Sequence, residues 1–145
     1  MAIIQQTLEK LQLFSCVATA AVTSTATSAA IDLKEYDGDV SLILTSAAGT
    51  GSSPTLDVKV QDSDASGGTY GDLSGAAFTQ VTDSASMQVI TFSKDEAKRY
   101  IKIVQTVGGS TPSFTFSING LALKNTVNLY SPIMGLFLCL TLIPI

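Results

Sequence analysis

The chain is expected to fold as a single all-β domain, an antiparallel β-sandwich. Two observations point there. Apolar and polar residues alternate with a period of two in several short runs, the signature of half-buried strands. Gly-, Ser- and Pro-rich breaks separate those runs, which favours a sandwich or barrel over an α/β arrangement. At 145 residues the length suits one such core.

The first thirteen residues form an N-terminal arm. Ile4, Leu8 and Leu11 stand at helical spacing with Glu9 and Lys10 between them, so the segment is a short amphipathic helix or an extended arm. A helix this short is marginal alone, and its apolar face needs a partner surface.

The sandwich is assigned to residues 14–125. Strands are expected at Cys16 to Val22 and Ala30 to Leu33. Asp37-Gly38 follows as a tight-turn dipeptide, and Val40 to Thr45, nearly continuous in apolar character, reads as a central strand. After a break at Gly49 to Pro54, Leu56, Val58 and Val60 alternate with Asp57, Lys59 and Gln61. A loop from Asp62 to Gly71 leads to candidate strands at Phe78 to Val81 and Met87 to Phe92. Ser93 stands three residues before Glu96, a capping-box pattern that predicts one helical turn. Ile101, Ile103, Gln105 and Val107 then share one face of a strand. Past a break at Gly108 to Pro112, Phe114, Phe116 and Ile118 share one face of the last strand.

Residues 126–145 change character. Ile133 to Ile145 is almost wholly apolar, yet too short and too interrupted by Gly135 and Pro144 to span a membrane. Exposed, such a segment invites aggregation. Three fates stay open: burial under its own sandwich, burial against a neighbour, or disorder.

Composition narrows the function. There is no histidine, which removes Ser-His-Asp and Cys-His catalysis. The carboxylates fall mainly in turns, and no G-x-S-x-G, Walker-type or dinucleotide-binding motif is present, so an enzyme is not expected. The net charge is −4 and the basic residues are scattered, so no face is built to neutralise phosphates and direct nucleic-acid binding is not expected. Charged residues are only 14 %, against roughly 25 % in typical soluble domains. Weakly charged surfaces tend to be covered in assemblies. The amino terminus lacks the basic start and cleavage site of a signal peptide.

No cofactor is expected. Cys16 and Cys139 stand far apart with no metal-ligand spacing; two free thiols are favoured, with a disulfide left open. Asp62-Ser63-Asp64-Ala65-Ser66-Gly67 opens like a calcium loop, but Leu73 stands where a bidentate Glu is required, so a solvated hairpin loop is the default reading. Tyr70, in that Gly-rich loop, is the best ring for stacking a sugar, and the chain has no Trp. Lys98 and Arg99 either pair with acidic groups on a neighbouring subunit or form a solvated turn before a buried strand.

Several stretches together carry a resemblance. Ile31-Asp32-Leu33 with Tyr36-Asp37-Gly38, then Leu56 through Asp64, Gly75-Ala76-Ala77-Phe78 and Lys98 through Val104 resemble small β-sandwich structural proteins of tailed bacteriophages, including capsid decoration (cement) proteins. The resemblance covers roughly residues 30–124 and lies in order and texture. It implies an Ig-like or jelly-roll-like sandwich with extended N- and C-terminal arms, located on the capsid surface of a virion and made in the host cytoplasm. It also implies that the major capsid protein is the partner and that the chain is a homo-oligomer, a trimer by preference, with no membrane partner. Ile4, Leu8, Leu11, Lys98, Arg99 and Tyr70 are then the candidate partner-binding residues. A tail or neck component and a glycan-binding module are the alternatives.

Overall fold

One long strand organises the molecule. The computed structural model describes residues 9–125. Its elements are β1 (Leu11–Val22), β2 (Ala26–Thr27), β3 (Ile31–Asp32), β4 (Tyr36–Ser46), β5 (Thr50–Ser63), β6 (Gly71–Ala77), β7 (Ser86–Ser93) and β8 (Tyr100–Lys124). The 25 residues of β8 would span about 80 Å if straight, far beyond the size of one small domain, so the strand must bend.

The bend lies at Gly108–Pro112. Gly109 has φ +108° and Thr111 +49°, and the facing part of β5 mirrors them with Gly51 at +108° and Ser53 at +48°. Glycine reaches these angles without steric penalty. A Cβ on Gly109 would lie 2.6 Å from the Ser53 carbonyl oxygen, and one on Gly51 would lie 2.6 Å from that of Thr111. The two backbones pass too closely for side chains.

The bend splits the pairing into two layers. The later half of β8 lies between β1 and β4, and β7 adds to β4, giving sheet I in the order β1-β8-β4-β7. The earlier half lies between β5 and the short β2 and β3, and β6 adds to β5, giving sheet II. All pairs are antiparallel. On the open side of the sandwich β1 runs on into β2 and β3. On the other side the Gln88 side chain stitches the sheets together, accepting from Thr79 N at 2.8 Å and donating to Thr79 O at 2.9 Å.

The core fills the space between the layers. Val40, Leu42, Leu44, Phe114, Phe116 and Ile118 face inward from sheet I, and Leu56, Val58, Val60, Ile101 and Ile103 from sheet II, all buried. In β8 the inward positions are odd before the bend and even after it. The irregular backbone at Gly109 and Thr111 absorbs that change, since a one-residue slip otherwise turns the apolar face outward.

The all-β antiparallel sandwich stands as expected, and several boundaries move. Gly49 to Pro54 and Gly108 to Pro112 are not connectors: apart from Gly49 they lie within β5 and β8, as the corner of the sandwich. Asp37-Gly38 is not a hairpin turn; it is a bulge inside β4, with Gly38 at φ +70° and a register shift before Val40. Phe78 to Val81 is not a strand. The sixth strand is Gly71–Ala77, and Val81 makes only an isolated bridge to Leu56. β1 begins at Leu11, inside the stretch read as an arm. Ser93 does start a turn: its carbonyl accepts from Glu96 N at 3.1 Å, and its hydroxyl accepts from Asp95 N at 3.3 Å.

Candidate functional site

Because β8 folds back at its middle, its two ends meet. Leu33 N donates to Arg99 O at 2.8 Å, Tyr36 N to Leu33 O at 3.1 Å, and Asn125 N to Glu35 O at 2.6 Å. At this terminal end also lie the β5–β6 loop and the turn after β7, since Ser63 pairs with Tyr100 and Asp39 with Ser93. The strand bends form the far end.

Four of the six residues singled out from the sequence lie at the terminal end, and three of them, Arg99, Lys98 and Tyr70, lie close around the start of β8. Arg99 forms a two-bond fork with Asp32, Nε to Oδ1 at 3.1 Å and Nη2 to Oδ2 at 2.8 Å, and its guanidinium lies 4.8 Å from the Tyr100 ring centre. The Arg99 hydrogen bonds hold the Asp32 carboxyl below the usual carboxylate range. Lys98 donates its backbone N–H to the buried Asp62 carboxylate at 3.0 Å, and its ammonium stands 3.9 Å from Asp64. The Tyr70 hydroxyl donates to Ser66 O at 3.0 Å, and the Lys102 ammonium lies 4.3 Å from the ring centre. One face of that ring is therefore occupied by a cation rather than open to a sugar.

These contacts recast the two motifs of this region. Arg99 spends its fork within the chain. Both aspartates of the calcium-like loop are turned to Lys98, and among the described residues no group of three or more His, Cys, Asp or Glu is placed to hold a metal. Leu11 lies at this end too, but on the outer face of sheet I at the start of β1, paired with Leu123 and apart from these contacts. Ile4 and Leu8 lie outside the described residues.

The residues that the sequence reading missed lie on the outer faces of the two sheets, which differ in kind. Sheet II points Asp57, Lys59 and Lys102 outward, with Lys59 bound to Asp72 at 2.8 Å. On sheet I, register places Leu13 beside Leu121, Ile43 beside Val89 and Thr45 beside Met87, all pointing outward. Between these rows lie only Ser and Thr hydroxyls and Asn119; Ser41 and Thr91 share a 2.9 Å hydrogen bond there. Leu13, Met87 and Val89 are 68, 75 and 61 % exposed. A shallow groove of about 350 Å³, lined by Leu13, Phe14, Ser15, Ile43 and Asn119, crosses this face. The available signal was the unbroken runs Leu42-Ile43-Leu44 and Leu121-Ala122-Leu123, apolar on both faces of their strands.

Charge is sorted along the molecule as well. Every basic residue except Lys59 lies at or beside the terminal end. By contrast, residues 22–27, 46–56 and 105–115, which build the far end, contain no Asp, Glu, Lys or Arg, though Asp83 stands beside Gly51 to Thr55 there.

Among the described residues Cys16 has no disulfide partner, and it lies beside a groove of about 230 Å³ that also touches Val17, Thr27, Ser28 and Gln105. Burial pushes its pKa up to about 12. Only the thiolate is nucleophilic, so in a Cys139→Ser background alkylation at pH 8 should run at least about 100-fold slower in the folded protein than in urea. Comparable rates would show the thiol to be open. Cys139 lies outside the described residues.

No family model and no curated protein matches the chain. Solved structures share its fold. A chain in the structure of infectious bursal disease virus Gt strain aligns with TM-score 0.51 and 10 % identity, over 81 % of this chain and 32 % of that one. The PBSX exported protein XepA aligns with TM-score 0.51 and 15 % identity, over 82 % of this chain and 38 % of its own. A xylan-binding domain from Paenibacillus barcinonensis aligns with TM-score 0.44 and 14 % identity, over 83 % of this chain and 90 % of its own. The chain thus spans about a third of the length of the first two. At such identities the likeness is one of fold alone.

Proposed function

We propose that this is a non-enzymatic structural protein of a virus particle, of the decoration or cement kind, which binds where major capsid protein subunits meet. The observation that carries the reading is the sorting of charge. Interface cores are depleted of charged side chains, and the far end presents three strand bends with no charge of their own, with Asp83 beside them, while the basic residues other than Lys59 and both ends of the described chain are gathered at the opposite pole. Such a body can set its far end on a lattice and point its arms, including Ile4 and Leu8, towards neighbouring copies. A homo-oligomer, a trimer by preference, then multiplies the contact. The viral particle among the structures that share the fold is in keeping with this. The mechanism is linkage: a subunit that binds only the assembled shell shifts the equilibrium towards it.

Two measurements test the reading. The protein should co-purify with intact particles in a copy number comparable to the major capsid protein, and particles lacking it should assemble normally yet lose their genome at lower temperature. Ser110→Glu puts a charge on an exposed far-end position and should weaken binding to such particles at least tenfold, about 1.4 kcal/mol, while leaving the melting temperature within a few degrees. Absence from purified particles would overturn the virion role. Full binding by Ser110→Glu would overturn the far end as the contact.

A further inference from the structure

The outer face of sheet I carries the exposed large apolar side chains Leu11, Leu13, Met87 and Val89, and the same chain carries an apolar segment of matching character. We infer that this face is the docking site of the chain's own residues 133–145. The inference rests on where the chain leaves the sheet and how far it reaches, and it is independent of the virion reading.

Asn125 directly follows the end of β8, whose Leu121 and Leu123 contribute to this face, and its backbone N–H is tied to Glu35 O at 2.6 Å. The segment that follows therefore starts at the border of the apolar face. Val89, near the opposite border, is two strands away from β8 and level with Asn119. That places it about 20 Å from Asn125 along the strands and about 10 Å across them. The intervening residues 126–132 alone can extend about 23 Å, so Ile133 to Ile145 can lie across the strands without strain. Those thirteen residues hold no charge, and neither do the outward positions around Leu13, Ile43, Met87 and Val89. Apolar surface on each side is thereby removed from water. The link is short and covalent, so the local concentration of the segment over its own face is on the order of millimolar, which favours it over the same segment of another copy. The outer face of sheet II, with Asp57, Lys59 and Lys102 in its rows, offers no such match.

Cys139 lies within the segment and supplies a native probe. In the full chain, Val89→Cys or Leu13→Cys adds a thiol on the proposed site, and Lys59→Cys adds one on the outer face of sheet II. All three positions are surface positions on strands, so folding is verified by an unchanged thermal transition. Under mild oxidation, at least one of the two sheet I variants, which lie on opposite edge strands, should form an intramolecular disulfide to Cys139, read by peptide mass mapping at monomer mass, at least tenfold faster than Lys59→Cys. Disulfide-linked dimers through Cys139 would overturn the proposal by making a second copy the occupant. Cross-linking of both variants no faster than in the Lys59→Cys control would overturn it by leaving the face without the segment.

Discussion

Ile103→Asp should abolish the cooperative folding transition at neutral pH. Ile103 is fully buried in the earlier half of β8, paired with Val60, and its backbone is already satisfied: its N–H donates to the Ser28 hydroxyl and its carbonyl accepts from Ser28 N, both at 2.9 Å. A carboxylate there gains no partner. The substitution loses about 2–3 kcal/mol of apolar burial and adds several kcal/mol for an unpaired buried charge. Domains of this kind are stable by only about 5–15 kcal/mol in all. Val58→Asp should act alike. The introduced carboxyl would have a raised pKa in the folded state, so the folded form gains relative to the unfolded one as pH falls, and mild acid should restore part of the transition. Asp64→Ala is the contrast. Its side chain is 86 % exposed and 3.9 Å from its only cation, so thermal melts should match wild type, with and without calcium. A calcium-dependent rise of several degrees would reinstate the loop as a metal site.

Gly120→Val should be the most damaging change that adds no charge to sheet I. Gly120 faces Phe14 across the β1–β8 pair, and a Cβ there would overlap the Phe14 ring. That ring also stacks on Tyr36, with centres 4.9 Å apart. The glycine is therefore the floor of an aromatic seat that holds the edge strand β1 in place. Evicting Phe14 forfeits about 2 kcal/mol of burial, and the repacking adds about 1 kcal/mol or more. A fall in melting temperature of about 10 °C is expected for a domain of this size. Adding Phe14→Ala to Gly120→Val should cost less than the sum of the two single changes, because both remove the same contact. Strict additivity would show that Phe14 does not depend on the glycine.

Much of the core was legible because period-two alternation survives any topology. Val58 and Val60, Ile101 and Ile103, and Phe114 and Phe116 all point inward as their spacing requires. The corners were not legible. A Gly- and Pro-rich cluster marks positive φ, and positive φ serves a connector and a bent strand equally. What separates them at Gly109 is the close backbone of Ser52 to Pro54, which belongs to a strand remote in sequence. Asp37-Gly38 failed for the same reason, since a bulge and a hairpin turn demand the same backbone freedom. At the terminal end, Lys98 and Arg99 were visible as neighbours, but their partners Asp62, Asp64 and Asp32 come together only through the pairing of β3, β5 and β8. The outer face of sheet I was missed because a run such as Leu42-Ile43-Leu44 says that both faces are apolar and not what covers the second one.

The length of β8 has a consequence for biosynthesis. β1, β2, β3, β4 and β5 all pair with it, and it is the last of the described strands. Before β8 is made, only the β4–β7 and β5–β6 ladders have both of their strands. The other half of each sheet waits for a strand not yet synthesised. Nearly all of its ladder is non-local, which slows folding and leaves strand edges open while synthesis continues. The nascent chain is thus a natural client for a chaperone that shields strand edges, and both sheets should lock in one step once Lys124 has emerged.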